Sequence, residues 1–435
     1  MNQIFSSNIL ANNSNEIVDQ PYPRVHPHPH LHLHPQKRND TGTKLISQGT
    51  FGCIFYPAIE CDGSISKNKK YASKLVKNNK TDINEYLIGK IIKGIKLYEY
   101  YYAPVTNMCS INLAKIDKRE RDMCKIIRDK KYPGTGVGTG TGTGTEPASS
   151  YAIMKIPFIE NISIVDYFTH PDTDKKEMLT YILYSYDYLL QNLETLNKHG
   201  IIHFDLKLSN ILIEKSKKIP IIIDFGLSIP LDDIRPETYK KYFYAYSPSY
   251  YIWCIEIHII CYLVKVNPVL TKDALMDLVN EYVQNNIGLK IYSDTFVRRF
   301  RDTAVDYYTK LIIDTGATRD EIIKKLLKYI RTWDTYSLSL MFLCFIRFIS
   351  ISGFIHNKLV IEFSKILLLN FHPNPEKRLS FDETKKKYNA IFNVDETTQS
   401  YKKLLHNFNR GLFLSKTQAE TMKEDKMTPS LGARD

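Results

Sequence analysis

Four polar side chains have the types and spacing that phosphoryl transfer requires. Asp205, Lys207 and Asn210 lie within residues 203–210 (HFDLKLSN), and Asp224 opens an Asp-Phe-Gly sequence. In this chemistry a carboxylate aligns the nucleophilic hydroxyl and accepts its proton, while cations neutralise charge on the transferred phosphoryl group. Asp205 suits the first task, and Lys207 with bound magnesium suits the second. Asn210 and Asp224 offer the hard oxygen ligands that magnesium prefers.

Short β-branched runs flank both sequences and predict the elements that position them. Ile201-Ile202 precedes the first sequence, residues 211–213 follow it, and residues 221–223 lead directly into Asp224. Such runs, separated by polar residues, predict a small hairpin of strands. The strands would hold the two polar sequences on a rigid support. The alternative is that Asp205 is a solvated aspartate in a loop and that Asp-Phe-Gly is an unrelated turn. Under this alternative, several motifs would have arisen in the right order by chance.

In this order the motifs resemble those of the protein kinase superfamily, where H-R-D-L-K-x-x-N precedes D-F-G. Residues 46–54 (ISQGTFGCI) resemble the glycine-rich loop of that family, with serine at the first glycine position. Glycine lets backbone N–H groups approach phosphates closely, so losing one should loosen nucleotide affinity without forbidding binding. A plain turn between two strands fits this loop equally well. The resemblance implies that the ATP contacts here are Ser47, Gly49, Phe51, Gly52 and Ile54.

Residues 71–74 (YASK) resemble the third-strand lysine motif of the family. The resemblance implies that Lys74 pairs with the α- and β-phosphates and that Ala72 contacts the nucleotide. Glu85 is then the helix partner of Lys74, with Glu99 a poorer second choice. The alternative for Lys74 is a surface lysine in a lysine-rich stretch.

The later matches extend the resemblance over about residues 40–395. Leu212 is implied to contact ATP, and His203 to pack beneath the loop rather than act as a base. Asp334 begins a D-x-W-S-x-G-like sequence, which implies that it holds the backbone of the 203–210 loop. Residues 375–378 (PEKR) resemble the late P-x-x-R element.

The resemblance implies an α+β fold of the two-lobed protein kinase type. A protein kinase domain would span 41–395, with a β-rich N-lobe at 41–157 and a helical C-lobe at 158–395. The strand predicted at 151–157 would lead to the hinge where adenine docks. Residues 250–333 predict a helical insertion that either recognises a partner or adds packing.

Three segments have compositions that do not predict a packed core. Residues 1–40 form a His/Pro-rich tail with histidines at alternate positions from 26 to 34. The tail is disordered, or its imidazoles bind a transition metal. Residues 134–145 alternate Gly with Thr or Val and predict a flexible loop. Residues 396–435 predict a C-terminal tail.

The chain departs from the family pattern at two further places. Phe204 replaces the arginine that reads a phosphate on the activation loop, so we expect activity not to require phosphorylation of that loop. Ser249 ends a Ser-Pro-Ser sequence at the A-P-E position, and serine cannot form the carboxylate pair with Arg378. Glu256 is a candidate substitute.

Composition bounds the remaining properties. The chain has 435 residues, 43% of them hydrophobic, and a net charge of +12 in mixed clusters, which indicates solvated faces rather than a specific nucleic-acid site. The seven cysteines lack a C-x-x-C pair, which predicts free thiols in a reducing, intracellular and cytoplasmic setting.

An apolar run from Ser337 to Ile355 predicts a buried core helix, with a membrane span as the alternative.

The leading hypothesis is a protein serine/threonine kinase that uses ATP and Mg²⁺ (or Mn²⁺) on a protein substrate. Lys207, two residues after Asp205, favours hydroxyl amino acids over tyrosine. A catalytically weak pseudokinase that serves as a scaffold is the alternative, and a small-molecule kinase of the same superfamily is a third. The residue usage also resembles kinases of mimivirus-like giant DNA viruses, which would place the protein in a host cytoplasm or a virion.

Overall fold

The structure is a computed structural model of the chain. It describes residues 42–49, 52–131, 151–169, 175–349, 357–393, 399–403, 405–406 and 416–417. The predictions for Phe51, for the histidines of the N-terminal tail and for the Gly/Thr loop fall outside these residues. So does most of the predicted C-terminal tail.

The described residues form a mixed α+β structure. The strands are β1 (Lys44–Gln48), β2 (Cys53–Tyr56), β3 (Tyr71–Val76), β4 (Tyr102–Ala103), β5 (Asn107–Ser110), β6 (Ala152–Pro157), β7 (Asn161–Ser163), β8 (Ile201–Ile202), β9 (Ile211–Glu214), β10 (Ile219–Ile223) and β11 (Ile229–Pro230). The strand expected at 151–157 is therefore present as β6.

The α-helices are interspersed with short 3₁₀ turns. They are α1 (Lys80–Lys93), α2 (Lys118–Met123), α3 (Lys125–Lys131), α4 (Ile164–Thr169), α5 (Lys175–Lys198), α6 (Tyr239–Tyr242), α7 (Ile255–Lys265), α8 (Lys272–Asn285), α9 (Asp294–Tyr308), α10 (Arg319–Leu327), α11 (Trp333–Ile349), α12 (Lys358–Asn370) and α13 (Phe381–Ala390).

The chain divides into two compact units. The first comprises Met1–Asn78 and Cys109–Lys155, and the second comprises Asn79–Met108 and Ile156–Asp435. Strands of the first unit belong to a five-stranded sheet with the order β1-β2-β3-β6-β5. β1, β2 and β3 pair antiparallel in sequence order. Alternate side chains of β2 are buried, as expected for a sheet with one face on a core.

Four of the seven cysteines form disulfides in the first unit. Cys53 is bonded to Cys124, and Cys61 to Cys109, each with a Cα–Cα distance of 5.9 Å. The prediction of free thiols throughout the chain is therefore wrong for these four. Disulfides are rare in cytosolic proteins, so the cysteines do not support a reducing location. The free cysteines in the described residues are Cys254, Cys261 and Cys344.

The second unit contains a large apolar core built around α5 and α11. Side chains of both helices are fully buried, for example Leu189 on α5 and Phe342 on α11. A four-stranded sheet with the order β4-β10-β9-β7 lies in the same unit. β9 and β10 pair antiparallel, which confirms the predicted hairpin.

The residues predicted as an insertion form α7 to α10. The two helices expected there, at 273–279 and 321–327, are present as parts of α8 and α10. Tyr282 and Tyr308 on the insertion helices are fully buried in the apolar core of the second unit. The segment therefore contributes packing to that core.

The apolar run after Ser337 lies on α11 as far as Ile349. Its described side chains up to Ile346 are mostly buried, which agrees with the predicted core helix. Among the helices that the structure describes, none combines the length and the apolar character needed to cross a bilayer.

Candidate active site

The loop with Asp205 is held from below by a carboxylate on α11. Asp334 accepts the backbone N–H groups of His203 (2.7 Å, Oδ2) and Phe204 (2.9 Å, Oδ1). This confirms the predicted role of Asp334. Burial raises the pKa of Asp334, although the two backbone donors act in the opposite direction.

The loop makes a tight turn at Phe204. This residue has φ +70°, and the N–H of Asp205 donates to the carbonyl of His203 at 2.9 Å, closing a three-residue turn. A non-glycine residue at positive φ costs about 1–3 kcal/mol, so surrounding contacts must hold it. The two bonds from Asp334 are such contacts, and they fix where the side chain of Asp205 begins.

His203 joins this loop to the strand that carries Asp224. Its ring is fully buried, and Nε2 donates to the carbonyl of Ile223 at 3.1 Å. Ser228, just after the Asp-Phe-Gly turn, donates its hydroxyl to the carbonyl of His203 at 3.2 Å. The predicted packing role of His203 is therefore confirmed, and the two polar sequences are held together.

The carboxylate of Asp205 is surrounded by donors. Lys207 Nζ lies 2.7 Å from Oδ2, and Asn210 Nδ2 donates to the backbone carbonyl of Asp205 at 2.9 Å and to Oδ2 at 3.2 Å. Tyr250 donates its phenol to Oδ1 at 2.5 Å. Both carboxylate oxygens thus have protein partners. An ammonium has three donors, so Lys207 keeps two for another anion.

Helix α1 is anchored to the Asp-Phe-Gly turn. Asn79 caps the helix by accepting from the N–H groups of Thr81 and Asp82, and Asn84 donates to the carbonyl of Ser228 at 2.9 Å. These bonds fix the register of the helix, so that Glu85 faces inward with 5% of its surface exposed.

The carboxylate of Glu85 reaches the Asp-Phe-Gly turn itself. A Cβ atom added to Gly226 would lie 3.5 Å from Glu85 Oε2 and 3.5 Å from Asp224 Oδ1. Glu99, the second choice from the sequence, lies on an exposed 3₁₀ turn outside α1.

The donor groups of Asn210 and Asp224 fit a magnesium ion. Asn210 donates to Asp205 through Nδ2, so its amide oxygen is the atom that would ligate a cation. Asp224 supplies a carboxylate, and its backbone has φ +62°. Magnesium is usually held by one or two protein oxygens together with substrate phosphates and water. The chemistry of these two side chains suits that arrangement.

The first unit contains most of the residues predicted to contact the nucleotide, whereas Glu85 and Leu212 lie in the second. Ser47 lies on β1 opposite Ile54 of β2, and Ile54 lies opposite Lys74 of β3. Lys74 is 9% exposed, so it is not the surface lysine of the alternative reading. Ala72, on the same strand, is also buried.

The two glycines of residues 46–54, Gly49 and Gly52, make local backbone contacts. The N–H of Gly49 donates to the carbonyl of Gly52 at 2.9 Å. A Cβ atom on Gly52 would lie 2.6 Å from the carbonyl oxygen of Leu75, so only glycine fits there. Gly52 therefore has a packing role whether or not it contacts phosphate.

Leu212 lies on β9 between two buried isoleucines. Ile211 and Ile213 face the core, whereas Leu212 is half-buried on the opposite face of the strand. Its position leaves an apolar side chain outside the core of the second unit.

An aromatic cluster surrounds Phe204, and it was not predicted from the sequence. The ring of Phe204 lies 4.8 Å from that of Trp253, 5.9 Å from Trp333 and 6.0 Å from Phe243 (centroid distances). Trp253 also donates its indole N–H to the carbonyl of Phe204 at 2.7 Å. The apolar residue at 204 is therefore satisfied by packing. The only sequence signal was the aromatic content of residues 239–253.

Arg378 pairs with Glu256 and not with the Ser-Pro-Ser sequence. The bonds are bidentate, at 2.6 Å and 2.9 Å, and both side chains are buried. Burial acts to raise the pKa of Glu256, but the Arg378 charge and its hydrogen bonds outweigh this and hold that pKa below its usual value. The expectation that Ser249 does not pair with Arg378 is therefore confirmed, and so is the suggested substitute, Glu256.

No protein-family model matches this sequence, and no curated protein matches it. Among solved structures, the chain is similar to one described as "Titin kinase and its flanking domains", with a TM-score of 0.38 and 14% sequence identity. The match covers 83% of this chain and 50% of the solved one. The chain thus spans half the length of the structure that it matches.

Proposed function

We propose that this chain is a two-lobed protein kinase that transfers the γ-phosphoryl group of ATP to serine or threonine hydroxyls of a protein substrate. One observation carries the proposal. The carboxylate of Asp205 projects from a backbone clamped by Asp334, and it is bordered by Lys207 and Asn210. A hydroxyl nucleophile needs an acceptor of this kind, with a cation beside it for the phosphate.

Each side chain has a defined task in the proposed reaction. Asp205 orients the acceptor hydroxyl and takes its proton. Lys207 stabilises negative charge on the transferred group with the donors that Asp205 leaves unused. Asn210 and Asp224 would hold Mg²⁺ or Mn²⁺, which supplies positive charge to the phosphates when bound. His203 contributes by holding the loop, because its ring is committed to Ile223.

The nucleotide contacts of the proposal rest on the sequence motifs. Lys74 would bind the α- and β-phosphates, and Ser47, Gly49, Phe51, Gly52, Ile54, Ala72, Glu85 and Leu212 would complete the ATP site. The burial of Lys74 and Glu85 supports a role other than surface solvation. A charged side chain is seldom buried without a partner.

The test is transfer of labelled phosphate from ATP and Mg²⁺ to a generic basic protein by the purified chain. Asp205→Asn keeps the shape and removes the carboxylate, so the rate should fall by about 100-fold or more, as for loss of a general base. Asp232→Asn, at an exposed aspartate, is the matched control and should keep the parent rate. Phosphoserine or phosphothreonine in the product would support the substrate class.

A scaffold with little or no phosphoryl transfer is the second candidate. Two observations favour it: Ser47 replaces a glycine, and Tyr250 occupies one oxygen of Asp205. No transfer by the parent, with Asp205→Asn indistinguishable from it, would leave only this candidate.

A further inference from the structure

Tyr250 occupies the position that an acceptor hydroxyl needs on Asp205. Its phenol donates to Oδ1 at 2.5 Å, while Oδ2 accepts from Lys207 and Asn210. Oδ1 is therefore the oxygen without a cation, and the one that a substrate hydroxyl would meet. As the structure stands, that oxygen is already engaged by the chain itself.

The backbone of Tyr250 is fixed by bonds on both sides. Its N–H donates to the carbonyl of Ser247 at 2.9 Å, and its carbonyl accepts from His258 Nε2 at 3.2 Å. The contact with Asp205 therefore belongs to a held segment.

The ring of Tyr250 is fixed as well. It packs edge-on against Trp253 at 5.2 Å, and Trp253 in turn bonds to Phe204. Trp253 thus contacts both the ring of Tyr250 and the loop that carries Asp205. These contacts hold the phenol close to the carboxylate in addition to the hydrogen bond between them.

The phenol remains a donor over the physiological pH range. Burial raises the pKa of Tyr250 above its usual value, and the negative charges of Asp205 and Asp224 raise it further. A neutral phenol bonded to a carboxylate is a strong, charge-assisted contact. To replace the phenol, a substrate hydroxyl must make an interaction with Asp205 that is at least as favourable.

We propose that Tyr250 is a specificity-determining residue, an internal competitor that an acceptor hydroxyl must displace from Asp205 Oδ1. The inference rests on the proposed function and names the property of its substrate: the protein must bring enough binding energy from outside the reacting hydroxyl to move the phenol. Short peptides and water lack that energy and are rejected.

The experiment compares the parent chain with Tyr250→Phe, which keeps the ring and removes the competing hydroxyl. Initial rates are measured with a short serine peptide, ATP and Mg²⁺, and kcat and KM are separated. We expect the KM for the peptide to fall by about 10-fold, the smallest effect expected for releasing a hydrogen bond to a charged group. ATP hydrolysis without peptide should rise.

Tyr246→Phe is the matched control, because Tyr246 lies in the same segment and packs on Tyr262 at 5.5 Å. It should leave KM, kcat and ATP hydrolysis at the parent values. Thermal unfolding of each variant checks that it is folded. Tyr250→Leu also lacks the hydroxyl, and it provides a second test if Tyr250→Phe does not fold.

The outcomes separate this inference from the function on which it rests. A lower kcat at unchanged KM would mean that the phenol only orients Asp205, and it would overturn the inference, as would unchanged constants. An inactive parent with an active Tyr250→Phe would support both proposals. Inactivity of the parent, Tyr250→Phe and Asp205→Asn alike would overturn the proposed function, and the competitor role with it.

Discussion

Trp253 donates its indole N–H to the carbonyl of Phe204 and packs at a tilt against the ring of the same residue. The side chain of Trp253 thus provides a hydrogen bond to the backbone carbonyl of Phe204 and an apolar contact to its ring. Phe204 has a strained backbone, with φ +70°, and stands where the resembled family has an arginine. The contact explains how an apolar side chain is accommodated at a position next to Asp205.

The first prediction concerns the stability of this cluster. Phe204→Arg should lower the free energy of unfolding by about 3 kcal/mol or more, because a guanidinium among aromatic rings would be buried without a partner. Urea denaturation of the two proteins measures the difference. Leu87→Arg, at a half-exposed position on α1, should change stability by no more than about 0.5 kcal/mol. An unchanged urea midpoint for Phe204→Arg would show that the cluster does not hold the loop.

The second prediction is that phosphoryl transfer does not depend on phosphorylation of residues 238–247. The side chain at 204 cannot pair with a phosphate, and the ring contact of Phe243 with Phe204 joins residues 238–247 to the loop without one. Treatment with a broad-specificity phosphatase, checked by mass spectrometry, should leave the transfer rate within about two-fold of a mock-treated sample, since no charge pair is lost. A collapse of the rate after dephosphorylation would contradict this expectation.

Some parts of the fold and site were predictable because they are encoded locally. The β9–β10 hairpin follows from β-branched runs on either side of a polar turn. The bond between Asp334 and the 203–210 loop joins distant residues, but a motif in each segment identified both. Such predictions need only short stretches of sequence whose pattern is itself diagnostic.

Other contacts could not be read from the sequence because partner choice depends on the folded chain. Arg378 and Glu256 are 122 residues apart, so the sequence offered Glu256 only as a candidate partner, and the folded chain was needed to identify the pair. The partners of Cys53 and Cys61 lie 71 and 48 residues away, with no spacing that identifies a pair. Tyr250 is one of many tyrosines in its segment, and only the geometry distinguishes it.

The third prediction concerns the buried pair of Arg378 and Glu256. Glu256→Gln should cost about 3–5 kcal/mol of unfolding free energy, because it leaves a buried guanidinium without its charge partner. The double variant Glu256→Leu with Arg378→Met should lose less unfolding free energy than the sum of the losses in Glu256→Leu alone and Arg378→Met alone. Thermal or urea unfolding of the single and double variants measures this coupling.

An exposed ion pair provides the control for that cycle. Glu362 and Lys365 are 2.7 Å apart on the surface of α12, and Glu362→Gln should change stability by no more than about 1 kcal/mol. Additive costs at 256 and 378 would show that the pair contributes no coupling energy and that each side chain is stabilised by its other contacts.

The last prediction is a pH dependence that His258 confers. Burial lowers the pKa of this histidine from 6.5 to about 4, although its bond to the Tyr250 carbonyl and the charge of Glu256 act in the opposite direction. The unfolded chain therefore binds the proton more readily than the folded one between pH 6.5 and about 4. The stability that His258 contributes is therefore fully present above its pKa in the unfolded chain, and it is lost as the pH falls toward its pKa in the folded protein.

The measurement is the free energy of unfolding at pH 7.5 and pH 5 for the parent and for His258→Gln, which can still donate to the Tyr250 carbonyl. The parent should lose roughly 2 kcal/mol more than the variant over this range, from the difference between the two pKa values. His199→Gln, at an exposed histidine, should follow the parent. Equal slopes for the parent and His258→Gln would mean that His258 takes up its proton in the folded protein without cost, and that the bond from its ring to Tyr250 persists in acid.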